Sequence, residues 1–152
     1  MRFYTQEECE GWLSGLGRRR PDLVPDLHSK RLFYPPLPYQ MFVLAEWIAL
    51  QLTHHMPVLL WITEWGIWPS HENWHLYYKL RQTDHDHRLL HEAPGHLFVE
   101  HEAHDLVSFL QLAMLNGWGG YFLPHAGWVN AFFSHDGFVD FYAQRIPATL
   151  RT

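Results

Sequence analysis

Hydrophobic and polar positions along the chain alternate between a helical and a strand period. Thr5-Gln6-Glu7-Glu8 has the spacing of a capping box and predicts a short helix that Gly15 or Gly17 ends. Between Arg18 and Pro38 five prolines (Pro21, Pro25, Pro35, Pro36 and Pro38) preclude one regular helix, so residues 18–38 read as a Pro-rich connector. It is expected to run extended over the body, with Leu23, Val24, Leu27, Leu32 and Phe33 turned inward. Tyr39 to Leu52 returns to the helical period, with Phe42, Ala45, Trp47, Ile48 and Leu52 as buried candidates and Glu46 at the rim or paired. From Pro57 the period becomes two. Val58, Leu60, Ile62 and Glu64 share one face, and Leu59, Trp61, Thr63 and Trp65 the other. Apolar residues on both faces predict a central strand covered on both sides.

Ser70 is a candidate helix N-cap, and His71 to Gln82 follows as a helix that buries Trp74, Tyr77 and Tyr78. Thr83 to Gly95 has no period, and His96 to Glu100 fits a short strand. Glu102 to Asn116 predicts a helix that is almost wholly buried, ended by Gly117 and Gly119. The last third reads as a meander: Tyr121–Leu123, Trp128–Phe133 and Phe138–Tyr142, with turns at Pro124–Gly127 and Ser134–Gly137. The pattern predicts an α+β fold in a single domain, with a mainly antiparallel sheet and a C-terminal β-meander packed against helices.

Composition narrows the class. A hydrophobic fraction of 47% with eight Trp, ten Phe and seven Tyr in 152 residues indicates a packed globule rather than a disordered segment. The net charge of -5 argues against a nucleic-acid binder, because phosphate contacts need a basic face. Arg18-Arg19-Arg20 alone reads as a solvated turn. Cys9 has no second cysteine to pair with, and Glu7, Glu8 and Glu10 interrupt any leader-like apolar run, so a cytoplasmic location is expected. The apolar stretches at residues 41–52 and 57–68 carry Glu46 and Glu64 and are too short to span a bilayer, so no membrane partner is expected.

The histidines hold the candidate chemistry. There are 13, and His85, His87, His91, His96, His101 and His104 fall within twenty positions among Asp84, Asp86, Glu92, Glu100, Glu102 and Asp105. Just upstream, His71-Glu72-Asn73-Trp74-His75 spells H-E-x-x-H, in which two imidazoles one helical turn apart hold zinc and the glutamate acts as base. The metzincin extension needs a glycine and a third histidine where this chain has Tyr78 and Arg81. Further ligands would have to come from elsewhere, such as His85, His87 and His91. If residues 84–87 are extended, His85 and His87 project together; a polar surface loop is the simpler reading. His104, Ser108 and Gln111 form a polar stripe on an apolar helix, read as its water-facing side.

Glu64 stands among Trp61, Trp65, Ile67 and Trp68. Buried there it needs a cationic partner or a raised pKa; at the strand's end it is an ordinary surface acid. Eight tryptophans are too many for a domain of this size to hide completely, and exposed Trp and Tyr dominate binding hot spots. Three functional readings follow. The leading one is a non-enzymatic cytoplasmic interaction domain with no cofactor, docking a basic protein partner through an acidic, Trp/Tyr-rich surface near Trp65, Trp68, Trp74 and Glu64. In general character such a chain is similar to bacterial toxin-neutralising immunity proteins, a likeness of composition. The alternative is a small zinc hydrolase on His71, Glu72 and His75, with Glu72 or Glu64 as the catalytic carboxylate. The third is a small-molecule pocket around Glu64.

Overall fold

The computed structural model describes residues 1–21, 24, 28–65, 71–126 and 129–145, with the side chains of 71–74 outside that description. Among the described residues seven strands form one antiparallel sheet: β1 (Arg2–Tyr4), β2 (His28–Phe33), β3 (Val58–Glu64), β4 (Gly95–Phe98), β5 (Gly119–Pro124), β6 (Val129–Ser134) and β7 (Phe138–Ala143). Their order across the sheet is β1-β4-β3-β5-β6-β7-β2. Helices α1 (Gln6–Gly15), α2 (Pro38–Thr53), α3 (His71–Thr83) and α4 (Ala103–Leu115) complete an α+β domain, and β5, β6 and β7 form the expected C-terminal meander.

Strand alternation divides the core in two. Val58, Leu60, Ile62, Phe122, Phe133, Val139 and Phe141 face a layer built from α2, α3 and α4. The opposite face carries Leu59, Trp61, Leu97, Tyr121 and Leu123, packed by Cys9 and Leu13 of α1. β3 lies between β4 and β5, so both its faces are covered, as its apolar pattern predicts. α1 is opened by the Thr5–Glu8 capping box. It approaches β4 closely at Gly95, where an added Cβ would collide with Cys9 Sγ. At the β6–β7 turn Gly137 has φ 82°, a conformation glycine adopts without strain.

Several expectations are corrected. Both edge strands lie in segments that carry no clear strand signal: β1 precedes the capping box, and β2 occupies part of the Pro-rich connector. Leu32 of β2 faces the helical layer, so alternation sends Phe33 the other way and leaves it 73% exposed. Leu23 and Leu27 lie outside the described residues. In α2 the inward stripe is Met41, Ala45, Ile48, Ala49 and Leu52, which places Phe42 at the shoulder, 43% exposed.

α4 is not almost wholly buried. It packs on the sheet and on α2 through Leu106, Val107, Phe109, Leu110, Ala113 and Met114, while His104, Asp105 and Ser108 face water as a polar stripe should. The strict alternation expected through Trp65 also fails. A β-bulge between Ile62 and Glu64 inserts one residue, and a one-residue shift exchanges the faces. Trp61 therefore packs with α1, whereas Trp65 packs with the helical layer.

Candidate docking groove

The free edge of β1 opens into an open groove of about 1110 Å³. Arg2, Phe3 and Tyr4 of β1 line it together with Glu8 and Trp12 of α1 and the segment Asp84–Arg88, with Glu92 at the rim. Four carboxylates thus face two arginines around three aromatic rings.

The histidine-rich segment is shaped by an arginine pair rather than by its histidines. Asp86, buried between exposed neighbours, accepts from the Arg88 backbone N–H (2.8 Å) in an Asx-turn and from Arg88 Nη2 (2.6 Å). Arg88 Nη2 also donates to the Phe3 carbonyl (2.8 Å), capping the edge of β1. Behind Asp86, the completely buried Arg81 sits over the Phe3 ring at 4.7 Å, with its Nη2 3.4 Å from Asp86 Oδ1. The Arg81 side-chain nitrogens make no well-directed hydrogen bond, and the Asp86 carboxylate supports the guanidinium charge against the cost of burial. Burial pushes the Asp86 carboxyl up, but hydrogen bonds from Arg88 and the charge of Arg81 outweigh it and leave the pKa lowered.

Two of the other carboxylates are held in place by backbone donors, while Asp84 lies 3.9 Å from the Met1 ammonium. Glu8 accepts from Thr5 N–H (2.7 Å) and Glu92 from Leu89 N–H (2.7 Å). Both lie near enough to Arg88 to help hold its guanidinium charged, after the larger effect of Asp86. Trp12 Nε1 donates to the Leu123 carbonyl, which fixes the ring where it lines the groove.

Beyond the groove floor, His96 is completely buried, and its Nε2 lies 3.2 Å from the Tyr77 hydroxyl. Burial first, and then the nearby Arg81 charge, push its pKa well below the ordinary imidazole value, so the ring is neutral. His96 belongs to the histidine-dense stretch of the sequence, where it opens the expected short strand; the structure makes it a core residue among Phe3, Phe98 and Phe109.

The other site candidates fall as follows. His85 and His87 reach the groove, but His85 has φ 63° and Asp86 turns inward between them, so the segment is a turn and not the extended run considered above. His91 and His75 are exposed. The side chains of His71, Glu72 and Trp74, and all of Trp68, lie outside the described residues. Among the described residues no three His, Cys, Asp or Glu side chains converge to hold a metal.

Trp65 packs edge-on against Trp118 (ring centroids 5.0 Å apart) and against Tyr77. Glu64 is exposed and accepts from His135 Nδ1 at 2.7 Å. That hydrogen bond, with lesser help from Asp136, raises the His135 pKa. The bulge turns Glu64 over β5, and the missing side chain of Gly119 makes room for its carboxylate. So Glu64 has the cationic partner expected of a buried acid, but it has it at the surface.

Asp86 and Arg88 are two apart, a spacing that signals an Asx-turn in the sequence itself; their meeting with Arg81 and β1 is a product of the fold. No family model, curated protein or solved structure matches the chain.

Proposed function

We propose that this chain is a cytoplasmic, non-catalytic interaction domain that docks a basic segment of a partner protein in the groove beside β1. One observation carries the reading: three of the groove's four carboxylates are fixed before any partner arrives. Glu8 and Glu92 are each tied to a backbone N–H, and the Asp86–Arg88 pair anchors the loop between them. A pre-ordered acidic rim loses little side-chain freedom on binding, and Tyr4 and Trp12 add aromatic surface against which a lysine or arginine stem can lie. The lone cysteine, buried in the α1 layer, suits a reducing compartment. Among the described residues no helix is long and apolar enough to cross a membrane.

The docking surface thereby moves from the Trp65 corner to Trp12 and Tyr4. At that corner Trp65 is committed to the core, and the described surface offers Glu64 already joined to His135.

An octapeptide of alternating arginine and lysine, titrated into isotope-labelled protein, tests this reading. Saturable amide shifts confined to Tyr4, Glu8–Trp12 and residues 84–92 are expected, weakening as salt screens the charges. In the double variant Glu8→Gln with Glu92→Gln, which keeps both backbone acceptors, binding should weaken several-fold at an unchanged melting temperature. Shifts scattered over the whole surface, or an unaffected double variant, would refute the groove.

A further inference from the structure

Part of the groove wall is made of rings rather than charges. Tyr4 ends β1, and Glu8 and Trp12, four residues apart, share one face of the helix that follows it. The Tyr4 and Trp12 rings meet at 66° with centroids 6.4 Å apart, and both are half-buried where they line the groove. Glu8 is exposed beside them. Each member is held by other parts of the chain. The Trp12 indole N–H donates to the Leu123 carbonyl, and the His125 ring packs against the same indole, centroids 5.6 Å apart. Tyr4 is fixed by its pairing with Gly95 of β4, and Glu8 by the Thr5 N–H.

Two rings set at an angle make a corner with a preference for cations. A cation seated in it lies within about 6 Å of both centroids, the range at which a ring face attracts positive charge. The chain's own cations over rings are elsewhere: Arg20 over Tyr121, Arg31 over Phe138 and Arg81 over Phe3. Among the described residues none covers Tyr4 or Trp12, and Arg88 of the same groove is bound to Asp86 and the Phe3 carbonyl. The chemistry of the corner decides which cation it suits. A lysine ammonium is strongly hydrated and carries three N–H donors, for which ring faces are poor acceptors. A trimethylammonium has no N–H to satisfy and spreads its charge over methyl groups that ring faces cover, with one carboxylate to balance it.

We infer that the corner between Tyr4 and Trp12, with Glu8 beside it, receives the trimethylammonium group of a methylated lysine in the partner's basic segment. The inference rests on the docking groove proposed above and names the side chain which that groove reads. Asp84 and Glu92 line the same groove, so unmodified lysines or arginines flanking the methylated one meet carboxylates while it meets rings. A small free ammonium compound would use the corner and leave those acids without a counterpart.

Calorimetric titration with three forms of the arginine–lysine octapeptide tests the inference: one central lysine is left unmodified, trimethylated, or replaced by its neutral tert-butyl analogue. Trimethylation should tighten binding about fivefold, equivalent to about 1 kcal/mol. The neutral analogue keeps the shape without the charge and should lose that gain. In Trp12→Leu, and independently in Tyr4→Leu, the affinity ratio of trimethylated to unmodified peptide should fall to about one. The wild-type ratio decides even where a variant does not fold. Equal wild-type affinity for both peptides, with amide shifts in the groove, would overturn the methyl-lysine corner and leave the docking of a basic segment standing. No groove shifts with any peptide would overturn both. A neutral analogue that binds as tightly as the trimethylated peptide would reduce the corner to an apolar contact and overturn the inference. Free choline binding as tightly as that peptide would give the corner to a small quaternary ammonium compound and overturn it too.

Discussion

Changing Asp86 to Asn should destabilise the protein more than any substitution of the exposed charges around it. Arg81 is completely buried, and its one ion pair among the described residues is with Asp86. Asn keeps the shape and the Arg88 backbone bond but leaves a guanidinium charge in the core without compensation. Breaking a buried pair from one side costs about 3–5 kcal/mol. In a domain of this size that lowers the melting temperature by roughly 6–20 °C. The asymmetry of the cluster supplies the controls. Arg88 is 43% exposed, and without it Asp86 still faces Arg81, so Arg88→Met should cost only about 1 kcal/mol. Arg81→Met combined with Asp86→Asn removes both buried charges and should recover most of the loss. Calorimetric melting of the four proteins decides it. An Asp86→Asn protein melting within about 2 °C of wild type, less than 1 kcal/mol in a domain of this size, would show that Arg81 is not held by that carboxylate. Because the folded Asp86 pKa is lowered, its contribution is complete above the unfolded carboxyl value near 4 and is lost as pH falls through the folded value, so acid below about pH 4 should narrow the gap between wild type and Asp86→Asn.

Three further outcomes follow from the other titrating groups. His96 is buried neutral with a lowered pKa, so the unfolded chain takes up a proton that the folded one refuses; stability should fall below about pH 6.5 by up to about 1.4 kcal/mol per pH unit, and His96→Gln should remove that component from urea melts between pH 5 and 7.5. His135, raised by Glu64, should contribute its ion pair fully below the unfolded value near 6.5 and lose it as pH rises through the folded value; imidazole NMR should show its pKa drop in Glu64→Gln and in Gly119→Ala, whose new methyl occupies the place of the Glu64 carboxylate. Burial, helped by Glu8 and Glu10, pushes the Cys9 thiol up to about 12, so iodoacetamide at pH 8 should leave the native protein unlabelled and modify it only after denaturation.

The central elements were legible because burial imposes a period on them. β3, α4 and the β5–β6–β7 meander each repeat apolar residues at the spacing of their own geometry. The edge strands were not legible for the same reason. Arg2–Tyr4 is too short to show a period, and His28–Phe33 places Lys30, Arg31 and Ser29 where a half-solvated strand tolerates them, behind prolines that argue for a loop. The bulge between Ile62 and Glu64 was hidden too. Alternation read straight through it, and one extra residue sent Trp65 and Glu64 to the faces opposite those expected.

The candidate site shows a different limit. Histidine density drew attention to residues 84–91, and that segment does line the groove, but charge pairs across the chain decide its shape. Asp86 is claimed by Arg81 and Arg88, Glu64 by His135, and Asp140 by Arg31. Two of these pairs join residues 71 and 109 positions apart, separations at which the sequence gives no pairwise signal. An acid hydrogen-bonded to its cation in the fold is structural, and one hydrogen-bonded only to a backbone N–H still has charge to offer. By that criterion Glu8 and Glu92 remain to meet a partner, while Asp86, chemically the same group and nearer the histidines, does not. That is why the groove, rather than the histidine run inside it, is the feature to which a partner's chemistry can be matched.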